Sequence, residues 1–228
     1  LTNTTTGATN TAVGRQALQT NTTASHNTSI GNQSLLNNTT GTQNTAVGSI
    51  ALDSNTTANA NTALGYNALG ANTTGSDNNG IGWGALSSNT TGNSNVALGA
   101  ATLDANTTGA ANTAIGNSAL GANTTASNNV AVGFSALLSN TTASNNTAVG
   151  YQSADANTTG ENNASLGASS LGANTTGSSN TAIGMNALRD NTTASNNTAV
   201  GLNSLLVNTT GTENVAVGAN VLDANTTG

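Results

Sequence analysis

The stretch NTAVGRQALQTNTTASH at residues 10–26 decides the fold, because its pattern returns at every seventeenth position along the chain. Each copy begins with Asn, without one insertion or deletion. These residues are Asn10, Asn27, Asn44, Asn61, Asn78, Asn95, Asn112, Asn129, Asn146, Asn163, Asn180, Asn197 and Asn214. Such a short and regular period is typical of a solenoid, in which each coil contacts only its neighbours.

Three further places in the repeat indicate the path of the chain. In the first copy they are an aliphatic residue, Val13, then Gly14, then Leu18, and the Leu place is broken only by Ala154. We expect the aliphatic and Leu columns to form the core, and the Gly to mark a corner that needs positive φ or close backbone approach. Because β-branched residues and turn formers disfavour helix, the pattern predicts an all-β fold. We predict a parallel β-solenoid (a β-roll or β-helix) of about 13 coils with about 17 residues per coil, a single repetitive domain over residues 1–228.

The composition excludes several classes of partner. Only 4% of the residues are charged, the net charge is −6, and Arg15 and Arg189 are the only strong cations. Nucleic-acid binding and attraction to an anionic membrane surface both require clustered Lys or Arg, so neither is expected. No apolar run approaches the roughly 20 residues of a membrane span, so we expect no membrane insertion in this segment.

The sequence contains few residues that could support catalysis. His26 is the single His, there is no Cys, and the acidic residues form no close recurring pair of the kind that acid–base chemistry requires. Asp53, Asp104 and Asp155 recur every three coils, which places them about 14 Å apart at the usual strand spacing, too far to share a metal ion. We therefore expect no enzyme activity, no cofactor and no metal.

The segment Asn-Thr-Thr is the most regular polar feature, and each copy matches the N-glycosylation acceptor pattern. The alternative is that the Asn side chains stack into amide ladders along the solenoid, where each amide donates to and accepts from its neighbours. The candidate glycosylation sites are Asn21, Asn38, Asn55, Asn72, Asn89, Asn106, Asn123, Asn140, Asn157, Asn174, Asn191, Asn208 and Asn225.

Regular Thr columns also suggest a face that binds ice or glycans. Adjacent strand residues point to opposite sides, so Thr22 and Thr23 cannot share a face. An array that pairs Asn21 with Thr23 remains the candidate.

The place directly after the invariant Gly varies most, and it holds the only Trp, the only Phe, both Tyr and the only Met. Aromatic residues and Met along one exposed edge suggest a contact stripe, whereas ordinary tolerance at a solvent-facing corner would explain the variation equally well. The candidate stripe consists of Tyr66, Trp83, Phe134, Tyr151, Met185 and Leu202.

The motif resembles the head repeats of trimeric autotransporter adhesins (YadA-like), which read roughly Asn-Ser-Val-Ala-Ile-Gly, and related repeats of phage and bacterial fibres. Asn-Thr-Ala-Val-Gly at 10–14 and 44–48, and Asn-Thr-Ala-Ile-Gly at 112–116, carry the resemblance. It implies a parallel β-roll, often a homotrimer, displayed outside a cell or on a virion. The adhesin unit is shorter than the repeat of this chain, so the Asn-Thr-Thr-Gly segment is an addition.

These observations predict a structural rod, part of an extracellular fibre, cell-surface adhesin or virion fibre, that presents a repetitive surface to a host surface or matrix. The chain begins and ends inside a repeat, which favours a section of a longer rod or a unit that joins end to end. Self-association as a homotrimer or as an end-to-end filament is the expected partnership. An ice- or glycan-binding solenoid that uses its Asn and Thr columns is the alternative.

Overall fold

The computed structural model describes residues 3–227, and this range contains strands and turns but no helix. The chain divides into two compact units, Leu1–Asn112 and Thr113–Gly228. Each unit is a parallel β-solenoid, and together they have about 12 turns spaced by about 17 residues, which confirms the predicted fold class. That residues 1–228 form a single repetitive domain stays a prediction.

Each coil contributes one strand of three residues, which follows the repeated Asn and ends before the repeated Gly. In the first unit the strands are β1 Thr11–Val13, β2 Thr28–Ile30, β3 Thr45–Val47, β4 Thr62–Leu64, β5 Asn79–Ile81 and β6 Val96–Leu98. In the second unit they are β7 Thr113–Ile115, β8 Val130–Val132, β9 Thr147–Val149, β10 Ala164–Leu166, β11 Thr181–Ile183, β12 Thr198–Val200 and β13 Val215–Val217. Within each unit consecutive strands pair in parallel, and every residue lies opposite its equivalent in the next coil, as Thr45 does with Thr62.

Outside the strands, residues in the left-handed conformation connect the coils. Gln33 and Leu35 have φ of 59° and 48°. The N–H of Gln33 donates to the carbonyl of Arg15 in the preceding coil at 2.9 Å, and the N–H of Leu35 donates to Ala51 in the following coil at 3.0 Å. A left-handed residue other than Gly costs about 1–2 kcal/mol. An unpaired buried N–H would cost about as much or more, so these hydrogen bonds offset the backbone strain.

The Gly that follows each strand has the corner role that the sequence predicts. Gly48 has φ of +141°. A Cβ at this position would lie 2.6 Å from the carbonyl carbon of Gly65, the equivalent Gly of the next coil. Both the conformation and the close approach of the two backbones therefore exclude a side chain here.

The core differs from the prediction in one of its two columns. Leu69 is fully buried, and so are Ala63 in the middle of β4 and Ala68 directly before the Leu. The aliphatic residue at the strand end points outward instead, with Leu64 exposed to 46% and Val13 to 57%. The prediction that this aliphatic column belongs to the core is therefore wrong. Since side chains alternate along a strand, burial of the small middle residue turns its two neighbours toward solvent.

Ala154 marks the one coil in which the Leu column is interrupted. Three buried hydroxyls lie close by, in places where most coils have Ala. The Oγ of Ser153 is 2.5 Å from the Oγ of Ser165 and 3.1 Å from the Oγ of Ser170. The missing Leu of this coil is thus accompanied by a hydrogen-bonded serine cluster that this coil shares with the next one.

Candidate functional site

The Asn residues of the Asn-Thr-Thr segments form a buried amide ladder. From Asn21 to Asn208 each side chain is 0% exposed. The Nδ2 of Asn55 donates to the Oδ1 of Asn38 at 2.8 Å and to the carbonyl of Ala58 in its own coil at 3.2 Å. The sequence allowed two interpretations of these Asn residues, glycosylation sites or an amide ladder. Their hydrogen bonds are those of the amide ladder.

This burial bears directly on glycosylation. An N-linked sugar would be attached to Nδ2, the atom that already donates two hydrogen bonds in the interior of the coil. The folded solenoid therefore does not present these residues as acceptors: Asn21, Asn38, Asn55, Asn72, Asn89, Asn106, Asn123, Asn140, Asn157, Asn174, Asn191 and Asn208. Asn225 is part-exposed, and its Nδ2 lies 3.3 Å from the Oδ1 of Asn208.

A second Asn ladder begins each repeat, and the two ladders meet at a shared carbonyl. The Oδ1 of Asn27 accepts the backbone N–H of Asn44 at 2.9 Å. The Nδ2 of Asn27 donates to the carbonyl of Gly41 at 2.9 Å, and the Nδ2 of Asn38 donates to the same oxygen at 3.0 Å. Two amides thus use both lone pairs of one carbonyl, which cross-links the two sides of a coil through polar groups.

The two Thr residues after the ladder Asn have different environments. The first is part-buried, and its hydroxyl donates to the next coil, as the Oγ1 of Thr39 does to the carbonyl of Thr56 at 3.1 Å. The second is exposed in every coil, and its hydroxyl makes no hydrogen bond within residues 3–227. We call this second column the outer Thr row. The array that pairs Asn21 with Thr23 is not formed, because Asn21 is buried while Thr23 is exposed.

The outward side of the strands displays a column of aliphatic side chains. We call it the aliphatic face, and it consists of the first and third residue of every strand. Its third place is always Val, Ile or Leu, and neither place holds a charged residue in any coil. Eight of its Val, Ile and Leu side chains are exposed, three of them to more than half of their surface: Val13, Ile30, Leu64, Leu98, Leu166, Ile183, Val215 and Val217.

Sequence reasoning assigned this face to the core, yet one signal could have found it. Between the buried Asn and the corner Gly, the strand reads Thr-Ala-Val, with Ala, Ser or Gly always in the middle. Only a narrow coil needs a small residue at every inward place of its strand. The alternation of side chains then predicts that Thr and Val both face outward.

The structure places the candidate contact stripe on the exterior, with Trp83 exposed to 62%. Its six members are at least two-fifths exposed: Tyr66, Trp83, Phe134, Tyr151, Met185 and Leu202. The rings of Phe134 and Tyr151 stack on each other, with centroids 5.6 Å apart and planes inclined by 12°. One face of each of these two rings is therefore already occupied within the chain.

Titratable groups are spread thinly along the described residues 3–227, where no group of three or more His, Cys, Asp or Glu side chains could hold a metal ion. Partial burial raises the pKa of Asp53, Asp104 and Asp155 above the ordinary value, against a smaller lowering by local backbone hydrogen bonds. Each of the three lies in a different coil, apart from the others. The described part of the chain contains no helix that is long and apolar enough to cross a membrane.

The fold and these columns define the class of the molecule, a parallel β-solenoid with tandem repeats and stacked Asn ladders. Comparison with known proteins adds no identity, since no protein-family model, no curated protein and no solved structure matches the chain.

Proposed function

We propose that the chain is a structural stretch of an extracellular fibre or adhesin, in which identical β-solenoids associate side by side through their aliphatic faces. The observation that carries the proposal is the column of Val, Ile and Leu at the outward end of every strand, of which seven side chains are exposed and the other six are part-exposed. The resemblance to the head repeats of trimeric adhesins supports three copies and a position outside the cell or on a virion.

The hydrogen bonds between coils support a mechanical role. Backbone N–H groups donate to neighbouring coils at the strands, at the left-handed corners and along the Thr segment. Both Asn ladders add side-chain bonds along the same direction. To pull two coils apart, all of these bonds must be broken together, which suits a load-bearing fibre.

The aliphatic face supports association between copies. Exposed apolar area costs about 25 cal/mol per Å² relative to burial, and contiguous apolar patches mark interaction sites. A second copy is the best-matched occupant, because its own face repeats at the same spacing of about 4.8 Å per coil. The face carries no charge in any coil, so two copies can approach without burying an unpaired charge.

The stripe residues Tyr66, Trp83, Phe134, Tyr151, Met185 and Leu202 are the proposed contact with a host surface or matrix. They lie on the exterior at the corner after the strand. Aromatic residues and Met are enriched at protein interfaces, which supports this assignment.

Native mass tests the association. We expect light scattering at tens of micromolar to give three times the chain mass of 21.9 kDa. The double variant Ile30→Lys/Ile115→Lys, which places one charge on the aliphatic face of each unit, should give a single chain. The matched control Asn32→Lys/Asn117→Lys changes exposed residues two places further along the same two coils, and it should keep the trimer.

Circular dichroism must show all three proteins folded. A wild-type chain that is monomeric at these concentrations, or a variant of the face that remains trimeric, would overturn the side-by-side association. A mass that grows without limit as the concentration rises would replace the trimer with end-to-end assembly.

A further inference from the structure

We infer that the outer Thr row is a binding surface for ice. In the first unit the row comprises Thr23, Thr40, Thr57, Thr74, Thr91 and Thr108, and in the second it continues at the same interval to Thr210. This surface is distinct from the aliphatic face and from the contact stripe, so the inference goes beyond the proposed fibre role.

The outer Thr row is invariant although the hydroxyls of its residues make no hydrogen bond within residues 3–227. Its neighbours in sequence are explained by internal contacts, since the preceding Asn forms the ladder and the preceding Thr donates to the next coil. In the described range 3–227 the hydroxyls of the outer row have no such partner, yet Thr occupies this place in every coil. Other exposed places, such as those of Asp77 and Ser94, vary freely from coil to coil.

The backbone holds these hydroxyls in a regular array. The N–H of Thr74 donates to the carbonyl of Thr90 at 3.2 Å, and the N–H of Thr91 donates to Thr107 at 3.2 Å. The row therefore repeats at the coil spacing of about 4.8 Å. Thr is stiff at χ1 because its Cβ is branched, so each coil presents a methyl and a hydroxyl with little freedom to lose on binding.

The chemistry of the outer Thr row limits the class of ligand that it could bind. No charged residue occurs in the Asn-Thr-Thr-Gly/Ala segment of any coil, so the ligand has no reason to be ionic. A hydroxyl both donates and accepts, and a rigid periodic row of hydroxyls matches a ligand that is itself periodic and offers both roles at each step. The surface of an ice crystal has this character, and its water molecules would satisfy hydroxyls that the protein leaves unbonded.

An extended polysaccharide is also periodic, but sugar sites are lined with aromatic faces and convergent polar groups. The aromatic residues of this chain lie at the corner after the strand, not in the segment that carries the row, and two of their rings stack on each other. The observations therefore favour the water lattice over a glycan.

Ice recrystallisation and thermal hysteresis test the inference with the full chain at micromolar concentration. We expect the wild type to suppress crystal growth and to open a hysteresis gap. The double variant Thr74→Lys/Thr91→Lys should need at least ten times the concentration for the same suppression. The matched control Asp77→Lys/Ser94→Lys, on exposed side chains of the same two coils, should keep the wild-type effect.

A milder variant, Thr74→Val/Thr91→Val, removes hydroxyls that make no hydrogen bond to any residue of the described range 3–227. It should retain the fold while reducing the effect. A wild type with no effect on ice would overturn the inference, as would an equal loss in the control. Binding to an insoluble polysaccharide without an effect on ice would also overturn it. None of these outcomes alters the native mass, which tests the fibre proposal separately.

Discussion

The side-chain nitrogen of Asn89 lies 2.8 Å from the side-chain oxygen of Asn72, its equivalent in the preceding coil. The Oδ1 of Asn89 in turn accepts from Asn106 at 2.8 Å. The second hydrogen of its amide goes to the carbonyl of Gly92 at 3.0 Å. Every strong hydrogen-bonding group of this buried amide is thus used, which explains how a chain with few large apolar residues can fill its interior with Asn.

Replacing one ladder amide should therefore be costly. Asn89→Ala would leave the oxygen of Asn72 and the nitrogen of Asn106 each short of a partner inside the coil. Two unsatisfied buried groups at about 1–3 kcal/mol each predict a loss of about 2–6 kcal/mol in the free energy of unfolding, measured by urea denaturation.

Asn32→Ala is the matched control, because Asn32 is exposed and its place holds Ala100 and Ala168 in other coils. It should change stability by less than about 0.5 kcal/mol. If the two variants were equally stable, the ladder would contribute nothing measurable to folding.

Two glycines of the same coil should respond in opposite ways to substitution. A Cβ on Gly82 would lie 2.6 Å from the carbonyl carbon of Gly99, and the residue has φ of +136°. Gly84 also has positive φ, +66°, but a Cβ there would meet nothing within 4 Å. We expect Gly82→Ala to cost about 2–4 kcal/mol through overlap and strain.

Gly84→Asn should be neutral or slightly stabilising, because it reduces the freedom of the unfolded chain. Equivalent places hold Asn67 and Asn186 with φ of 57° and 58°. Thermal unfolding followed by circular dichroism measures both variants. A well-tolerated Gly82→Ala would show that the corner can open, contrary to the close backbone approach described above.

The fixed period of the repeat was enough to predict the solenoid, its parallel strands and its Gly corner. Each of these follows from local rules: Gly48 is needed at a positive φ, and identical coils stack most simply in register. The Asn ladder was predicted as one of two alternatives, since Asn38 alone does not reveal whether its amide faces inward.

The inward or outward direction of the aliphatic column was the main error. Val47 and Leu52 are both apolar and both periodic, so hydrophobicity alone assigned both to the core. What separates them is the width of the coil. Its interior accepts one Leu and small residues, and the strand end is turned outward by the burial of Ala46. The width of the coil depends on how neighbouring coils pack, and the residue pattern alone does not reveal it.

The two apolar columns should therefore differ in energetic weight within one coil. Ile183 is 39% exposed, whereas Leu188 is fully buried. We expect Leu188→Ala to cost about 2–5 kcal/mol through lost burial and a cavity. Ile183→Thr should cost less than about 1 kcal/mol when it is measured on the dissociated chain.

Urea denaturation at a series of protein concentrations separates these effects. If the aliphatic face joins copies, the cost of Ile183→Thr should grow with protein concentration, as mass action requires. At any one protein concentration, Leu188→Ala would still lose the full free energy that lost burial and the cavity cost. Equal costs for the two variants on the dissociated chain would contradict the outward placement of Ile183.

Acid should stabilise this fold, contrary to the usual behaviour of proteins rich in paired carboxylates. Partial burial raises the pKa of Asp53, Asp104 and Asp155 in the folded state above the value of 3.8 that applies to an unperturbed carboxyl. Between those two pKa values the folded chain binds more protons than the unfolded chain, so the free energy of unfolding decreases as pH rises through that window. We expect the thermal midpoint to increase when pH is lowered from 7 to about 4, and the triple variant D53N/D104N/D155N to lose most of that increase.

The control D77N/D223N removes charge from exposed positions without relieving burial, and it should keep the wild-type response. A wild-type midpoint that stays flat or declines over the same range would contradict a raised pKa of these three carboxyls in the folded state.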